Sequence, residues 1–215
     1  MPGAWELERP SVLIGVLSAK DMVPIKWAYH LRNLRLPGSH QIATLSGMTY
    51  DHARNSAVNN MLQGGYKWLM FIDDDTCVPS DAFERLSSHN LDIVSGLYYR
   101  RSQPIGHPVM LRETPQGTQF IDNFRPGEMV EADLVGAGCM LIHRRVFEQL
   151  SQTLGNRWFR WMMESDKPNE RCSEDFFFCR EARKAGFKIY VDTMVQCEHI
   201  GLASSSIRGY APAEL

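Results

Sequence analysis

The chain has 215 residues, enough for one sizeable α/β core without a second. A formal net charge of −2 gives no global basic field for nucleic acid or an anionic membrane, and no apolar run approaches the ~20 residues of a membrane span. Met1 to Pro10 lacks the charged and apolar regions of a signal peptide, and the five cysteines show no CxxC spacing, so reduced thiols in a cytoplasmic setting are expected.

Val12 to Leu17 (VLIGVL) predicts a first buried strand, and Ser18-Ala19-Lys20-Asp21 a polar loop after it. Pro24 suits the first turn of a helix to about Arg35, which Leu36-Pro37-Gly38 stops. Gln41 to Ser46 reads as a second strand. Asp51 to Gln63 reads as a helix with Ala53, Ala57, Val58 and Met61 on one face, ended by Gly64-Gly65. An apolar strand then carries Trp68 to Ile72 into Asp73-Asp74-Asp75. This first half is βαβαβ, the pattern of a nucleotide-binding α/β half.

Pro79-Ser80-Asp81 opens another helix, to about His89, and Leu91 to Tyr99 is a fourth strand. Pro108 to Arg112 and Gln119 to Phe124 flank Thr114-Pro115-Gln116-Gly117, a hairpin turn signal. Glu131 to Leu134 is extended, Gly136-Ala137-Gly138 breaks it, and Cys139 to Ile142 resumes as a strand before a short helix from Arg144 to Leu150. Ser173 to Ala185 is the best-marked helix, with Ser173 at the N-cap, Glu174 and Asp175 in the first turn and Gly186 closing it. Lys188 to Val191 and Met194 to Cys197 read as two short strands before Glu198-His199, and Gly201 to Leu215 as a small, polar tail.

The acidic triplet dominates the chemistry. The strand before it is apolar on both faces, which implies a parallel sheet covered by helices, and ligands bind outside the carboxyl ends of such strands. Three crowded carboxylates repel one another unless a cation or hydrogen-bond donors offset the charge. Hard oxygen ligands at that density suit Mg²⁺ or Mn²⁺. A solvated turn that caps the next helix is the alternative. Glu174-Asp175 alone could match only the helix dipole, Arg54 could be solvated, His199 could be a hydrogen-bonded structural histidine, and Gly136 and Gly138 could mark a bulge. Tyr98-Tyr99-Arg100-Arg101 and Arg157-Trp158-Phe159-Arg160-Trp161 could be amphipathic surface, or an aromatic platform for an acceptor.

Three stretches, HARNSAVNNMLQGGYKWLMFIDDDTCVPSDAF, EADLVGAGCMLIHRRVFEQL and SEDFFFCREARKAGFKIYVDTMVQCEHIG, resemble the GT-A glycosyltransferases, especially those like family 2. With the first strand they cover most of the chain. The resemblance implies a single GT-A-like α/β domain over residues 1–215, with a central, mostly parallel sheet flanked by helices. Residues 11–100 would be the nucleotide-binding half and 101–200 the acceptor and catalytic half; the tail at 201–215 would either fray or close over the diphosphate, with Arg208 pairing to phosphate oxygens. It implies that Asp75 and His199 bind a divalent metal, Mn²⁺ or Mg²⁺. Asp73 would contact the ribose or a metal-bound water, with Asp74 the variable middle position of the DxD motif. Arg54 would lie near the donor nucleotide, Gly136, Ala137 and Gly138 beneath the donor sugar, and Ser18 and Arg208 among the donor-binding residues. Asp175, with Glu174 beside it, would be the base of an inverting transfer. The donor would be a UDP- or GDP-sugar. The acceptor hydroxyl could belong to a glycan, a small molecule, a lipid carrier or a modified nucleic-acid base.

Phe71-Ile72-Asp73-Asp74-Asp75-Thr76 also resembles the DxDxT motif of haloacid-dehalogenase-like phosphatases, in which the first Asp is a nucleophile. There the motif usually sits on the first strand, and the Glu-Asp pair and late His have no explanation. A nucleotidyltransferase of related fold would need a Gly-rich basic loop after the first strand, which Leu17 to Asp21 does not resemble. A domain that binds a nucleotide sugar without turnover is the non-enzymatic alternative.

Overall fold

The structure, a computed structural model, describes residues 11–18, 22–101, 106–162 and 172–200. Arg208 and the rest of the tail lie outside the described residues, so the expected closure over a diphosphate does too.

The N-terminal half follows the predicted βαβαβ order: β1 (Val12–Ser18), α1 (Ile25–Arg32), β2 (His40–Ser46), α2 (Tyr50–Gly64) and β3 (Trp68–Asp73). α2 ends because Gly65 takes the left-handed conformation, φ 71°, that closes a helix. After the triplet come β4 (Thr76–Cys77), α3 (Ala82–Ser88) and β5 (Ile93–Leu97). Then follow β6 (Met110–Thr114), β7 (Gly117–Phe120), β8 (Met129–Ala132), β9 (Leu134–Val135) and β10 (Cys139–His143). α4 (Arg144–Leu154), α5 (Glu174–Lys184), β11 (Ile189–Gln196) and β12 (Glu198–His199) complete the described chain.

Seven strands form the central sheet in the order β2-β1-β3-β10-β5-β11-β8. β2, β1, β3, β5 and β11 run one way; β10 runs against β3 and β5, and β8 against β11. The sheet is therefore mixed and mostly parallel, with helices on both faces. Alternation along each strand divides the core. Leu69 and Phe71 of β3 face a cluster with Ala57 and Met61 of α2, Phe147 of α4 and Phe178 of α5. Trp68, Met70 and Ile72 face the other side, with Trp27 of α1 and Phe83 and Leu86 of α3. Burying each such large side chain contributes about 1.5–3 kcal/mol. Gly15 of β1 lets α2 approach: a Cβ there would meet the Phe71 ring at 3.2 Å and the Ala57 methyl at 3.3 Å.

Several boundaries differ from the sequence reading. The hairpin turn tightens to Pro115-Gln116, because Gly117 at φ 121° already starts β7. The two late strands are one, β11, with an irregularity in register between Asp192 and Gln196. Polar Asp192 and Thr193 survive there, nearly fully buried, because they find partners: Asp192 Oδ1 accepts from Met194 N at 2.8 Å and its Oδ2 lies 2.9 Å from His89 Nε2, and Thr193 Oγ1 donates to Glu128 O at 2.8 Å.

Topology builds the site. Because β10 is antiparallel to β3, its start lies at the carboxyl end of β3, where Asp73 N donates to Gly138 O at 3.2 Å. The short β4–β12 pair sets His199 opposite Thr76, next to Asp75. Among the described residues, no helix is long and apolar enough to cross a membrane.

Candidate active site

Arg54 of α2 sits under the acidic triplet, only 2% exposed. Its Nη2 lies 3.1 Å from both oxygens of Asp73, and its Nε donates to Glu174 Oε1 at 3.2 Å. The guanidinium rests over the Phe71 ring at 5.0 Å and near Phe159 at 6.0 Å. Its Nη1 is buried with no partner among the described residues. Burial alone would disfavour the cation, but Asp73, Glu174 and Asp175 surround it and push its pKa far up. Arg54 is therefore a buried counter-ion that ties the end of β3 to the start of α5.

Glu174 and Asp175 open α5 as the sequence predicts. A helix start favours an ionised carboxylate, but burial acts against that here. Burial raises the pKa of both carboxyls, and Arg54 only partly offsets it. Ser173 stands at the N-cap, but its hydroxyl donates to Asp175 Oδ1 instead of capping the helix backbone. Phe176 N donates to that same oxygen at 2.8 Å. Both bonds fall on Oδ1, so Oδ2 carries neither.

The other two aspartates diverge. Ser18 at the end of β1 donates to Asp74 Oδ2 at 2.6 Å. Burial raises the Asp74 pKa, the Ser18 bond lowers it, and the neighbouring carboxylates raise it again. Asp75 turns toward β12, where His199 Nε2 lies 3.3 Å from its Oδ2. Burial pulls the Asp75 pKa up, but His199 and Arg101 more than reverse this and hold it below the usual carboxylate range. His199 Nδ1 lies 2.9 Å from Tyr99 O, a group that can only accept, so Nδ1 carries a proton. Nε2 then faces a carboxylate oxygen, and that contact needs a proton or a cation between them.

Asp75 and His199 are donors of the types that ligate divalent ions. Two ligands bound at about 2.1 Å and near 90° lie ~3 Å apart, and Asp75 Oδ2 and His199 Nε2 are separated by 3.3 Å. The carbonyl on Nδ1 fixes the ring as metal-binding histidines are usually fixed. Both oxygens of Asp73 are engaged by Arg54. Among the described residues no group of three His, Cys, Asp or Glu side chains is arranged to hold a metal.

The Gly136-Ala137-Gly138 turn packs on Tyr98, whose hydroxyl accepts from Gly138 N at 3.1 Å. A Cβ at Gly136 would lie 2.0 Å from that hydroxyl, and one at Gly138 would lie 2.8 Å from Thr76 Oγ1. Close packing on Tyr98 and Thr76 is thus sufficient reason for both glycines. The Tyr98 ring meets His199 edge-on at 5.5 Å between centroids.

The suggested aromatic platform is mostly core. Trp158 and Phe159 are buried against Phe147 and Phe178, and Asn55 holds the Phe159 backbone at both N and O. Trp161 alone of the three is substantially exposed, at 40%. Sequence reasoning did not single out Tyr50, and it named Ser173 only as a helix N-cap. Tyr50 begins α2 beside the triplet, where burial and then Asp74, Asp73 and Asp75 raise its phenol pKa. The Ser-x-Asp spacing at 173–175 was the available signal for the hydroxyl that orients Asp175.

No protein-family model and no curated protein matches the sequence. Solved structures do match, 154 chains in all, which marks the architecture as widely shared and so uninformative about chemistry by itself. One is the crystal structure of A197 from STIV, similar over 95% of this chain and 95% of that one with a TM-score of 0.70. At 17% identity the likeness concerns the fold alone.

Proposed function

We propose that the protein is a GT-A-type glycosyltransferase, similar to family 2, that moves a sugar from a UDP- or GDP-sugar to an acceptor hydroxyl with Mn²⁺ or Mg²⁺ bound. One observation carries the reading. The Asp75–His199 pair, the Arg54–Asp73–Glu174 ion cluster, Asp175 and the 136–138 turn, drawn from five separate stretches of the sequence, converge at the carboxyl end of β3. That is where open α/β sheets bind their ligands.

Asp75 Oδ2 and His199 Nε2 would hold the ion, which when bound supplies positive charge to the departing diphosphate. A bound diphosphate would complete its coordination, as is usual for Mg²⁺. Arg54 fixes the Asp73 carboxylate in one orientation, and Ser18 does the same for Asp74. Asp175, held by Ser173 and Phe176 through Oδ1, presents Oδ2 to the incoming hydroxyl and takes its proton as the new bond forms. A raised pKa makes it a stronger base than an exposed aspartate, and attack opposite the departing diphosphate makes the transfer inverting.

The phosphatase alternative is disfavoured because Arg54 holds both oxygens of Asp73, the nucleophile it requires. A binding domain without turnover has no use for an oriented Asp175.

Calorimetry with a nucleoside diphosphate tests the metal role. Binding is expected to tighten when Mn²⁺ is added, and Asp75→Ala to abolish that gain without unfolding the protein. Equal metal dependence in both proteins would contradict the assignment.

A further inference from the structure

We propose that Arg101 is a resident counter-ion on Asp75 that a divalent ion displaces, and that the displaced guanidinium then pairs with the diphosphate. The proposal rests on the reading of the site as metal- and diphosphate-binding. Two cationic or metal-ligating groups converge on one oxygen. Arg101 Nη1 lies 3.3 Å from Asp75 Oδ2, and His199 Nε2 lies 3.3 Å from the same atom. Arg101 Nη1 also reaches Ile200 O at 3.5 Å, which holds it over the end of the β4–β12 pair.

A guanidinium stays charged and cannot ligate a metal. An ion bound to Oδ2 would therefore compete with it for that oxygen and repel it as a like charge. The arm can leave: the Arg101 side chain is 49% exposed, against 27% for Asp75. Once displaced beside the ion, its planar fork matches phosphate oxygens, which accept two N–H bonds in parallel. Arg101 thus opposes the ion when it arrives alone and favours the ion together with a diphosphate. The site loads them as a pair.

Mn²⁺ titration followed by the electron-paramagnetic signal of the free ion tests this without turnover. For the protein alone, Arg101→Ala is expected to bind Mn²⁺ about two- to fivefold more tightly than wild type, the range set by a half-exposed ion pair. With a saturating nucleoside diphosphate the order should reverse, the variant binding the ion–diphosphate pair more weakly. Asp75→Ala serves as the blank. Equal or weaker Mn²⁺ binding by Arg101→Ala alone overturns the proposal and leaves the metal site standing. So does an unchanged affinity for the pair. Absence of Mn²⁺ binding by either protein, with or without diphosphate, removes the metal site itself and the proposal with it. Because Arg101 is half exposed, the substitution does not threaten folding.

Discussion

Asp175→Asn is expected to lower turnover about 10²–10⁴-fold, the usual contribution of a general base, while donor and metal binding change little. The donor contacts belong to other residues, and Asn retains an oxygen for the Ser173 and Phe176 bonds. The pH profile should move as well. Burial raises the Asp175 pKa, so the protein must lose that proton at a higher pH than an exposed aspartate would before the base can act. The acid limb of kcat should therefore lie above the ordinary range for aspartate of about 3.9, and Asp175→Asn should abolish it. If Asp175 only complements the helix dipole, Asn would cost a few tenths to about 1 kcal/mol of stability and leave turnover nearly intact. Stopped assays across pH with both proteins, each shown to be folded, separate the two outcomes.

Arg54→Ala is expected to destabilise the fold by about 3–5 kcal/mol, the cost of leaving buried charge without its partner. Asp73 and Glu174 would lose their bonded cation and Asp175 its nearest positive neighbour, in a pocket walled by Phe71 and Phe159. The sign with pH follows from linkage. Without Arg54 the folded-state pKa of Glu174 and of Asp175 rises further above its unfolded value, so the folded variant binds more protons. Its deficit should therefore shrink as pH falls from 7 toward 5. Urea denaturation of both proteins at several pH values measures this. A loss under 1 kcal/mol that does not vary with pH would show that the cluster is not a cohesive ion network.

Which parts of this site were visible in the sequence depends on the kind of information each needed. β1, α2, β3 and α5 were legible because each is long enough for apolar periodicity, and Gly65 and Ser173 mark ends that backbone geometry demands. The acidic triplet was legible as chemistry because it interrupts an apolar strand. The β4–β12 pair was not, because two-residue strands carry no period, although that pairing is what sets His199 beside Asp75. The direction of β10 was also hidden: an apolar run buried on both faces reads the same whichever way it runs. Nor does a sequence name partners. Nothing local to Arg54 indicates that it grips Asp73 and Glu174 at once, nor that Trp158 and Phe159, set among arginines, turn inward onto Phe147. The glycines at 136 and 138 read in the sequence as a loop beneath a donor sugar or as a bulge; the neighbour that packs on them in the structure is Tyr98.

The central claim is that the carboxyl end of β3 binds and uses a nucleotide sugar. Incubating the protein with a panel of UDP- and GDP-sugars, with Mn²⁺ or with a chelator, and measuring released nucleoside diphosphate tests it most directly. The account predicts that at least one sugar nucleotide releases its diphosphate only when Mn²⁺ is present, and that release falls in Asp75→Ala and Asp175→Asn. Binding and release from none of them, together with hydrolysis of phosphomonoesters through a phosphorylated Asp73, would contradict it.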